Sequence, residues 1–184
     1  MGRPAERGVD DEGTAMSAVL RSMERADLPF VHELFNDPEV VRYWFVEPTK
    51  SLAAIESTYD QRVLDDSWRR FVIDDGGRRC GIVELVGIHP KHWHCEFQII
   101  VAPDAQGNGY AGKATQDALS YAFRDLNLHK VYLEVDNKNA RAIHVYEKAG
   151  FQVEGVLKQE YFADGEYQDA TRMAIFQQDF LARD

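Results

Sequence analysis

Cysteine, long apolar runs and positive charge are scarce in this sequence, and each scarcity argues against a class of protein. Only two cysteines, Cys80 and Cys95, occur in 184 residues, which argues against a disulfide-stabilised scaffold and predicts free thiols in a reducing compartment. No apolar run is long enough to span a bilayer, and no signal-peptide pattern opens the sequence. Positive charge is also in deficit, with 21 Lys and Arg against 31 Asp and Glu and a formal net charge of −10. We therefore expect a cytoplasmic protein that binds neither nucleic acid nor a membrane and that favours small cationic partners.

The length of the chain indicates one domain with a substantial core, and no internal repeat or linker divides it. Residues 1–15 are small, charged and without periodicity. We expect them to form a disordered N-terminal tail, with Met16 as an alternative start and residues 16–184 as a single domain.

Strand and helix patterns alternate along that domain. Helices are predicted from residue 25 to the segment before Pro38, from the N-cap Ser51 to about Asp65, after a glycine-rich loop to Asp125, and from the N-cap Asn139 to Gly150. Predicted strands lie at residues 19–23, 68–73, 80–88, 96–102, 130–135, 153–163 and 167–176.

The glycine-rich loop lies between a buried strand pattern and a helix pattern, and its residues are Gln106, Gly107, Asn108, Gly109, Tyr110, Ala111 and Gly112. Free backbone N–H groups and the positive end of the helix dipole make such a loop a phosphate site. Two ligands compete for it. The spacing Gly107-x-Gly109-x-x-Gly112 satisfies a dinucleotide fingerprint, with Glu134 about 20 residues further on as the ribose acid. The spacing Gln106-x-x-Gly109-x-Ala111 instead matches a loop that binds the pyrophosphate of coenzyme A.

Coenzyme A is favoured over the dinucleotide and over a turn with no ligand. The dinucleotide fingerprint requires its first glycine directly at the end of the strand, whereas residues 103–106 intervene here. It also requires a continuing series of βαβ units, whereas the chain after Asp136 offers one helix and then strand patterns rich in Tyr and Phe.

Several segments together carry a family resemblance. They are Tyr43-Trp44-Phe45 with Glu47-Pro48, Arg69-Arg70-Phe71-Val72, Val83-Glu84-Leu85, Glu96-Phe97-Gln98-Ile99-Ile100, Ala142-Ile143-His144-Val145-Tyr146 and Arg172-Met173. With the element order and the loop, the chain resembles the Gcn5-related N-acetyltransferase (GNAT) superfamily, and within it the bacterial spermidine/spermine N-acetyltransferases. The resemblance implies an α/β (α+β) fold whose central sheet is mixed, mostly antiparallel and flanked by helices. It also implies that acetyl-CoA binds in the cleft after the fourth strand.

The resemblance further implies roles for individual residues toward acetyl-CoA. Backbone groups of Ile99, Ile100 and Val101 would contact the thioester and pantetheine, and the side chain of Asn139 would contact the pantetheine. Tyr146 lies two helical turns after Asn139 on the same face and would protonate the departing sulfur. The alternative interpretation of Tyr146 is an ordinary core aromatic.

The acceptor amine would bind beside the central strand. Strand alternation places Glu96, Gln98 and Ile100 on one face and Phe97, Ile99 and Val101 on the other. Glu96 would bind the ammonium or relay its proton through water, and the alternative is a salt-bridged surface acid. The resemblance adds further candidate substrate-binding residues, namely Tyr43, Glu47, Glu84, Phe97 and Gln98.

No metal is expected. His89, His92, His94 and Cys95 have a spacing that invites a zinc interpretation, but they occupy a short connection without a second ligand cluster, so a solvated loop is favoured.

The chain departs from the resemblance at the positions that regulate relatives. Acids that serve a polyamine and divalent-cation site at subunit contacts in that family are replaced by Val46 and Gly87. We expect a homo-oligomer that transfers acetyl from acetyl-CoA to a polyamine by direct attack in a ternary complex, with weak or absent polyamine regulation. The alternatives are acetylation of a protein N-terminus or another small amine, and a non-catalytic acyl-CoA sensor.

Overall fold

The computed structural model describes residues 18–42, 49–163 and 165–183. The predicted tail and the candidate residues Tyr43 and Glu47 therefore lie outside the described residues, as does Val46. Within the described ranges, no helix is long and apolar enough to cross a membrane.

One seven-stranded sheet organises the molecule, with the strand order β1-β2-β3-β4-β5-β7-β6. The strands are β1 (Val19–Ser22), β2 (Trp68–Asp75), β3 (Arg78–Val86), β4 (His94–Val101), β5 (Lys130–Asp136), β6 (Gln152–Ala163) and β7 (Glu166–Phe176). Every neighbouring pair is antiparallel except β4 with β5. The prediction of a mixed, mostly antiparallel sheet is confirmed.

The helices are α1 (Leu28–Asn36), α2 (Pro38–Val41), α3 (Leu52–Arg62), α4 (Tyr110–Ser120), α5 (Ala140–Ala149) and α6 (Gln177–Leu181). Both predicted N-caps are confirmed, because Ser51 accepts from the N–H of Ala54 and Asn139 accepts from the N–H of Ala142. Gly150 ends α5 with φ of 108°, the left-handed conformation that favours glycine. The predicted end of α3 at about Asp65 is wrong, because the helix stops at Arg62.

The site depends on how β4 and β5 separate. Their parallel pairing covers only three residue pairs and ends at Glu96 with Tyr132. Both strands continue beyond that point, β4 to Val101 and β5 to Asp136. The sheet therefore opens into a fork, in which β4 and β5 no longer pair with each other beyond Glu96 and Tyr132.

Strand register places the polar residues of the fork on one face of the sheet. Glu84 on β3 pairs with Gln98 on β4, and Glu134 on β5 pairs with Arg172 on β7. The Gln98 Nε2 group donates to Glu96 Oε1 at 2.8 Å, which confirms that these two side chains share a face. Phe97 lies on the opposite face, where its ring contacts Tyr146 of α5.

A different carboxylate holds the other end of the sheet together. Asp27, only 1% exposed, accepts two hydrogen bonds from the Arg21 guanidinium at 2.8 and 2.9 Å and one from Arg79 Nε at 2.6 Å. The backbone N–H of Glu24 adds a further bond at 2.9 Å. Because these donors come from β1, from the turn before α1 and from β3, Asp27 joins three separate segments.

Candidate active site

A cleft of about 1040 Å³ occupies the fork. Its walls come from the diverging part of β4, the glycine-rich loop, the beginning of α4, the end of β5 and the beginning of α5. One cavity therefore joins the predicted phosphate loop, the predicted thioester strand and the candidate acid Tyr146.

The loop presents uncovered backbone N–H groups to this cleft. Gly107 and Gly109 have φ of 87° and 79°, and Gly109 is the N-cap of α4 without a side chain that caps the helix. An added Cβ at Gly107 or Gly112 would meet no atom within 4 Å, so the space beside those glycines is open. Backbone donors at a helix N-terminus with open space before them suit a phosphate group.

Two predicted loop residues use their side chains in hydrogen bonds that hold the loop. Asn108 Nδ2 donates to the carbonyl oxygen of Ala105 at 3.1 Å and to that of Gln106 at 3.3 Å. The Tyr110 hydroxyl donates to Asp75 Oδ2 at 2.6 Å, a bond that raises the pKa of Tyr110 to about 12. These side chains fix the shape of the loop. Any contact of Asn108 with the cofactor stays a prediction, since it does not line the cleft.

Tyr146 both lines the cleft and contacts core aromatics. Its ring meets Phe97 and Phe151 edge-on, with centroids 6.2 and 5.9 Å away. Burial raises the pKa of Tyr146 to about 12, so the hydroxyl stays protonated at neutral pH. Within the described ranges, no hydrogen bond engages that hydroxyl, which leaves its proton for a ligand.

Asn139 lies on the same side of α5 as Tyr146, and both line the cleft. Its Oδ1 atom is used by the cap on Ala142 N at 3.1 Å. The Nδ2 group is bonded to no residue that the structure describes, so it can donate to a ligand; the contact of Asn139 with pantetheine stays a prediction.

Two carboxylates and an amide form the acidic side of the cleft: Glu96, Gln98 and Glu134. Glu134 was absent from the predicted site. Burial raises the pKa of Glu134, and the negative charge of Glu96 raises it further, while Arg172 opposes both effects. Arg172 therefore offsets only part of the effect that burial and the neighbouring Glu96 have on the pKa of Glu134.

Two predicted substrate residues lie away from the cleft lining. Glu84 is 2% exposed and forms an ion pair with Arg70 Nε at 2.5 Å, and burial raises its pKa. Phe97 is buried against Tyr146. Their direct contact with substrate stays a prediction. Glu84 is the cross-strand neighbour of Gln98, and Phe97 packs against Tyr146.

Comparison with known proteins agrees with this geometry. A family model described as an acetyltransferase (GNAT) domain matches residues 18–152. Spermidine N(1)-acetyltransferase of Escherichia coli K12 is 48% identical over 169 residues, which cover 92% of this chain and 91% of that protein. The enzyme of the same name from Vibrio cholerae is 46% identical over 89% of this chain and 95% of its own length. The chain belongs to the GNAT acetyltransferase family.

Solved structures agree as well. The crystal structure of spermidine N-acetyltransferase from Vibrio cholerae in complex with CoA and spermine has a TM-score of 0.87 and 45% identity, and the match covers 89% of this chain and 98% of that one. A structure of the Vibrio enzyme in complex with manganese ions has a TM-score of 0.81 and 45% identity over 90% of this chain and 96% of that one. The predictions of a GNAT fold and of resemblance to spermidine acetyltransferases are confirmed.

The dinucleotide interpretation of the loop does not fit a GNAT domain or this sheet. A doubly wound dinucleotide fold needs successive parallel strands, whereas β4 and β5 are the one parallel pair in the described sheet. Glu134, which that interpretation assigned to a ribose, instead faces the cleft across the fork from Glu96 and Gln98.

The GNAT cleft also contains cations that the sequence reasoning missed. Lys138 and Arg141 flank Asn139 and line the cleft, and Arg141 Nη1 donates to Gln106 Oε1 at 3.5 Å. Their positions on either side of the predicted ligand-binding residue Asn139 were a usable signal, because Lys and Arg can pair with phosphate groups.

The histidines of the β3–β4 connection form a stack rather than a ligand set. The ring centroids of His89 and His92 are 4.3 Å apart, and those of His89 and His94 are 5.6 Å apart. Among the residues that the structure describes, no group of three or more His, Cys, Asp or Glu is arranged to hold a metal ion. Cys80 and Cys95 are free and buried, and burial raises the pKa of Cys95 to about 12.

Proposed function

We propose that this GNAT enzyme transfers the acetyl group of acetyl-CoA to a primary amine of spermidine or spermine. The observation that carries the proposal is a single cleft with an anion-binding loop at one end and two carboxylates at the other. Acetyl-CoA brings phosphates and a polyamine brings ammonium groups, so the two ends match the two substrates in charge. Near-half identity to spermidine N-acetyltransferases over most of the chain supports the polyamine specifically.

Acetyl-CoA is the co-substrate. Its pyrophosphate would accept hydrogen bonds from the loop N–H groups and face the N-terminus of α4. Lys138 and Arg141 would add charge-assisted contacts to phosphate oxygens. The pantetheine would then run past Asn139 toward the fork.

The thioester would lie against the open edge of β4. Because β5 leaves this edge after Glu96, the backbone of Ile99, Ile100 and Val101 runs along the cleft beyond the last β4–β5 pair, where a thioester would lie beside it. A backbone N–H there would stabilise the negative oxygen that develops on the thioester carbonyl during attack. Removal of such a donor typically costs about 10²- to 10³-fold in turnover.

The amine must lose a proton before it attacks, since an aliphatic ammonium has a pKa near 10.4. Glu96 would bind the ammonium or accept its proton through water. The neutral nitrogen then forms a bond to the acetyl carbon, the C–S bond breaks, and the thiolate takes a proton from Tyr146. The new amide nitrogen gives up its extra proton to water, and Tyr146 regains a proton from water. Both substrates are present together, so no acetyl-enzyme forms.

Two alternatives remain testable. A putative ribosomal N-acetyltransferase of Bacillus subtilis is 24% identical over 88% of this chain, which is weaker support for a protein N-terminus as acceptor. A non-catalytic acyl-CoA sensor would not require an acid, yet Tyr146 lines the cleft with a free hydroxyl.

The test is thiol release from acetyl-CoA over a panel of spermidine, spermine, putrescine, an aminoglycoside and an N-terminal peptide. We expect spermidine and spermine to have the highest kcat/KM. Preference for the peptide would support the N-terminal alternative, and acetyl-CoA binding without thiol release on any amine would support the sensor.

We also propose that the chain acts in the cytoplasm and self-associates. The long strand β6 lies at the sheet edge, and exposed apolar side chains occur on the β6–β7 hairpin: Val153, Val156, Phe162 and Tyr167. Exposed apolar groups on a hairpin that contains an edge strand favour contact with a second chain. Light scattering after size-exclusion chromatography tests this, and a mass of 21.0 kDa at micromolar concentration would contradict it.

A further inference from the structure

Glu134 lies where the fork begins to open. It is two residues beyond Tyr132, the last β5 residue that pairs with β4, and it lines the cleft together with Glu96 and Gln98. Its side chain is 21% exposed, so it is neither a solvated surface acid nor a buried core residue. The position places a second carboxylate beside the predicted acceptor site.

The cation that faces Glu134 is shared among several groups. Arg172 Nη1 donates to Glu134 Oε1 at 3.3 Å, and Arg172 Nε lies 3.7 Å from Glu154 Oε2. The same guanidinium lies over the Tyr132 ring, 3.9 Å from its centroid. Glu154 has a second cation, since Lys130 Nζ approaches it to 2.6 Å. Glu134 has only its share of Arg172, and no residue in the described ranges donates to its Oε2 atom.

Glu96, like Glu134, has one carboxylate oxygen bonded by the protein and one that is not. Gln98 Nε2 occupies its Oε1 atom at 2.8 Å, and within the described chain its Oε2 atom also lacks a donor. Two carboxylates of one cleft therefore each keep an oxygen that no protein donor in the described chain occupies. Burial raises the pKa of Glu134 most, and the charge of Glu96 raises it further; a cation bound between the two carboxylates would offset their repulsion.

We propose that Glu134 binds a second, non-reacting ammonium of the acceptor while Glu96 receives the reacting amine. Glu134 is thus a specificity-determining residue that favours acceptors with two or more positive charges over monoamines. This inference rests on the proposed function, because it concerns the acceptor end of the same cleft.

The physical reason is the cost of desolvating a charge without a partner. A polyamine that enters a half-buried cleft loses water from every ammonium that it buries, and each such ammonium needs an acceptor in return. A carboxylate with an unused oxygen supplies one charge-assisted bond. A monoamine has no second ammonium and gains nothing from Glu134.

The experiment compares Glu134→Gln with Glu154→Gln, a matched control. Both residues contact Arg172, but only Glu134 lines the cleft. For each protein, the KM for spermidine is measured with saturating acetyl-CoA, and hexylamine is measured as a competitive inhibitor through its Ki. A third variant, Glu134→Asp, keeps the charge. Acetyl-CoA affinity and thermal melting report that each variant is folded.

We expect Glu134→Gln to raise the KM for spermidine by about 10- to 100-fold, the usual effect of one charge-assisted bond, while the Ki of hexylamine stays within about twofold. Glu154→Gln should leave both constants unchanged, and Glu134→Asp should recover much of the spermidine affinity. Equal effects on spermidine and hexylamine, an unchanged spermidine KM, or an equal effect of Glu154→Gln would overturn the inference. If wild-type protein does not acetylate polyamines at all, the proposed function fails instead, so the two failures are distinguishable.

Discussion

Asp27 and Glu134 are carboxylates in two regions of the same molecule, and they differ in how many of their oxygens are hydrogen-bonded by the protein. Asp27 is enclosed by two arginines and a backbone N–H, which hold its pKa far below the usual range. Glu134 has part of one arginine, a neighbouring negative charge and a raised pKa. A fully partnered carboxylate stabilises the fold and has nothing left for a ligand. A half-buried carboxylate with an unused oxygen in a cleft is suited to bind a cation.

The comparison separates the molecule into a structural corner at β1, β2 and β3 and a functional fork at β4 and β5. Glu84 combines features of both regions. It is buried and paired with one arginine, Arg70, and it is the cross-strand neighbour of Gln98 in the fork. Substitutions in the corner should change stability and spare chemistry, and those in the fork should do the reverse.

Loss of Asp27 is expected to give the largest effect. Asp27→Asn leaves Arg21 and Arg79 without their shared anion. Both arginines are about a third exposed and Arg21 keeps Asp74, so we expect a loss of about 1.5–3 kcal/mol, the range for hydrogen bonds to a charged group. Urea denaturation at pH 7 measures this. In the fork, Glu134→Gln should change the free energy of unfolding by no more than about 0.5 kcal/mol. A small effect of Asp27→Asn with a large one of Glu134→Gln would reverse the comparison.

The pH dependence of stability follows from the same carboxylate. Because the folded-state pKa of Asp27 is lowered, its contribution is fully present at pH 7 and is lost as the pH falls below about 4, the unfolded value for aspartate, toward the folded pKa. Wild-type protein should therefore lose stability over this range more steeply than Asp27→Asn. Identical slopes for the two proteins would show that Asp27 is not the responsible group.

The next effect belongs to the fork. Tyr146→Phe removes the proton that the thiolate receives and keeps the aromatic contacts with Phe97 and Phe151. We expect kcat to fall by roughly 10²-fold or more, in line with general-acid catalysis, with acetyl-CoA affinity and melting temperature unchanged. Stopped assays of thiol release measure the loss. A kcat equal to that of the wild type would show that Tyr146 is a core aromatic without a catalytic role.

A change in the loop should weaken cofactor binding. Gly109→Val places a β-branched side chain at φ of 79°, a conformation that such residues avoid, and adds bulk at the N-terminus of α4. We expect acetyl-CoA to bind at least tenfold more weakly by calorimetry, while far-UV circular dichroism remains that of the wild type. Unchanged affinity in the folded variant would remove the loop from the cofactor site.

The smallest effect concerns regulation. A second bound polyamine needs unpaired carboxylates. The neighbouring acids that could replace the missing ones are Glu47, Glu56, Asp60 and Asp65; of these, Asp60 pairs with Arg25, and Asp65 pairs with Arg62 at 2.8 Å. Gly87 supplies no charge. Spermidine saturation should be hyperbolic, with a Hill coefficient near one and little response to Mg²⁺ or Ca²⁺. Marked sigmoidality that persists in Val46→Glu would mean that other acids form a regulatory site.

Local patterns allowed much of this fold to be predicted. Asn139 and Gly150 were recognisable as the ends of α5 because a cap and a left-handed residue act on the nearest backbone groups. The glycine loop and Tyr146 could be chosen as candidate cofactor residues because each belongs to a motif within one continuous segment of the sequence. The short helix α6 was missed, since its five residues, Gln177–Leu181, offer too little periodicity.

The acceptor side could be predicted only in part, because it depends on how strands meet. Alternation told which face Glu96 and Gln98 share, but it could not tell that Glu84 would be buried against Arg70. Glu134 looked like the ribose acid of a dinucleotide site when its distance along the chain was considered alone. Only the parallel pairing that stops at Tyr132 places it across the fork from Glu96 and Gln98.

The central claim is that acetyl-CoA and the amine meet together in the fork and react directly. The most direct test is initial velocity with acetyl-CoA and spermidine both varied. Direct attack predicts intersecting lines in double-reciprocal plots and no release of CoA before the amine is added. Parallel lines, with a burst of CoA in the absence of amine, would indicate a covalent acetyl-enzyme and would contradict the account.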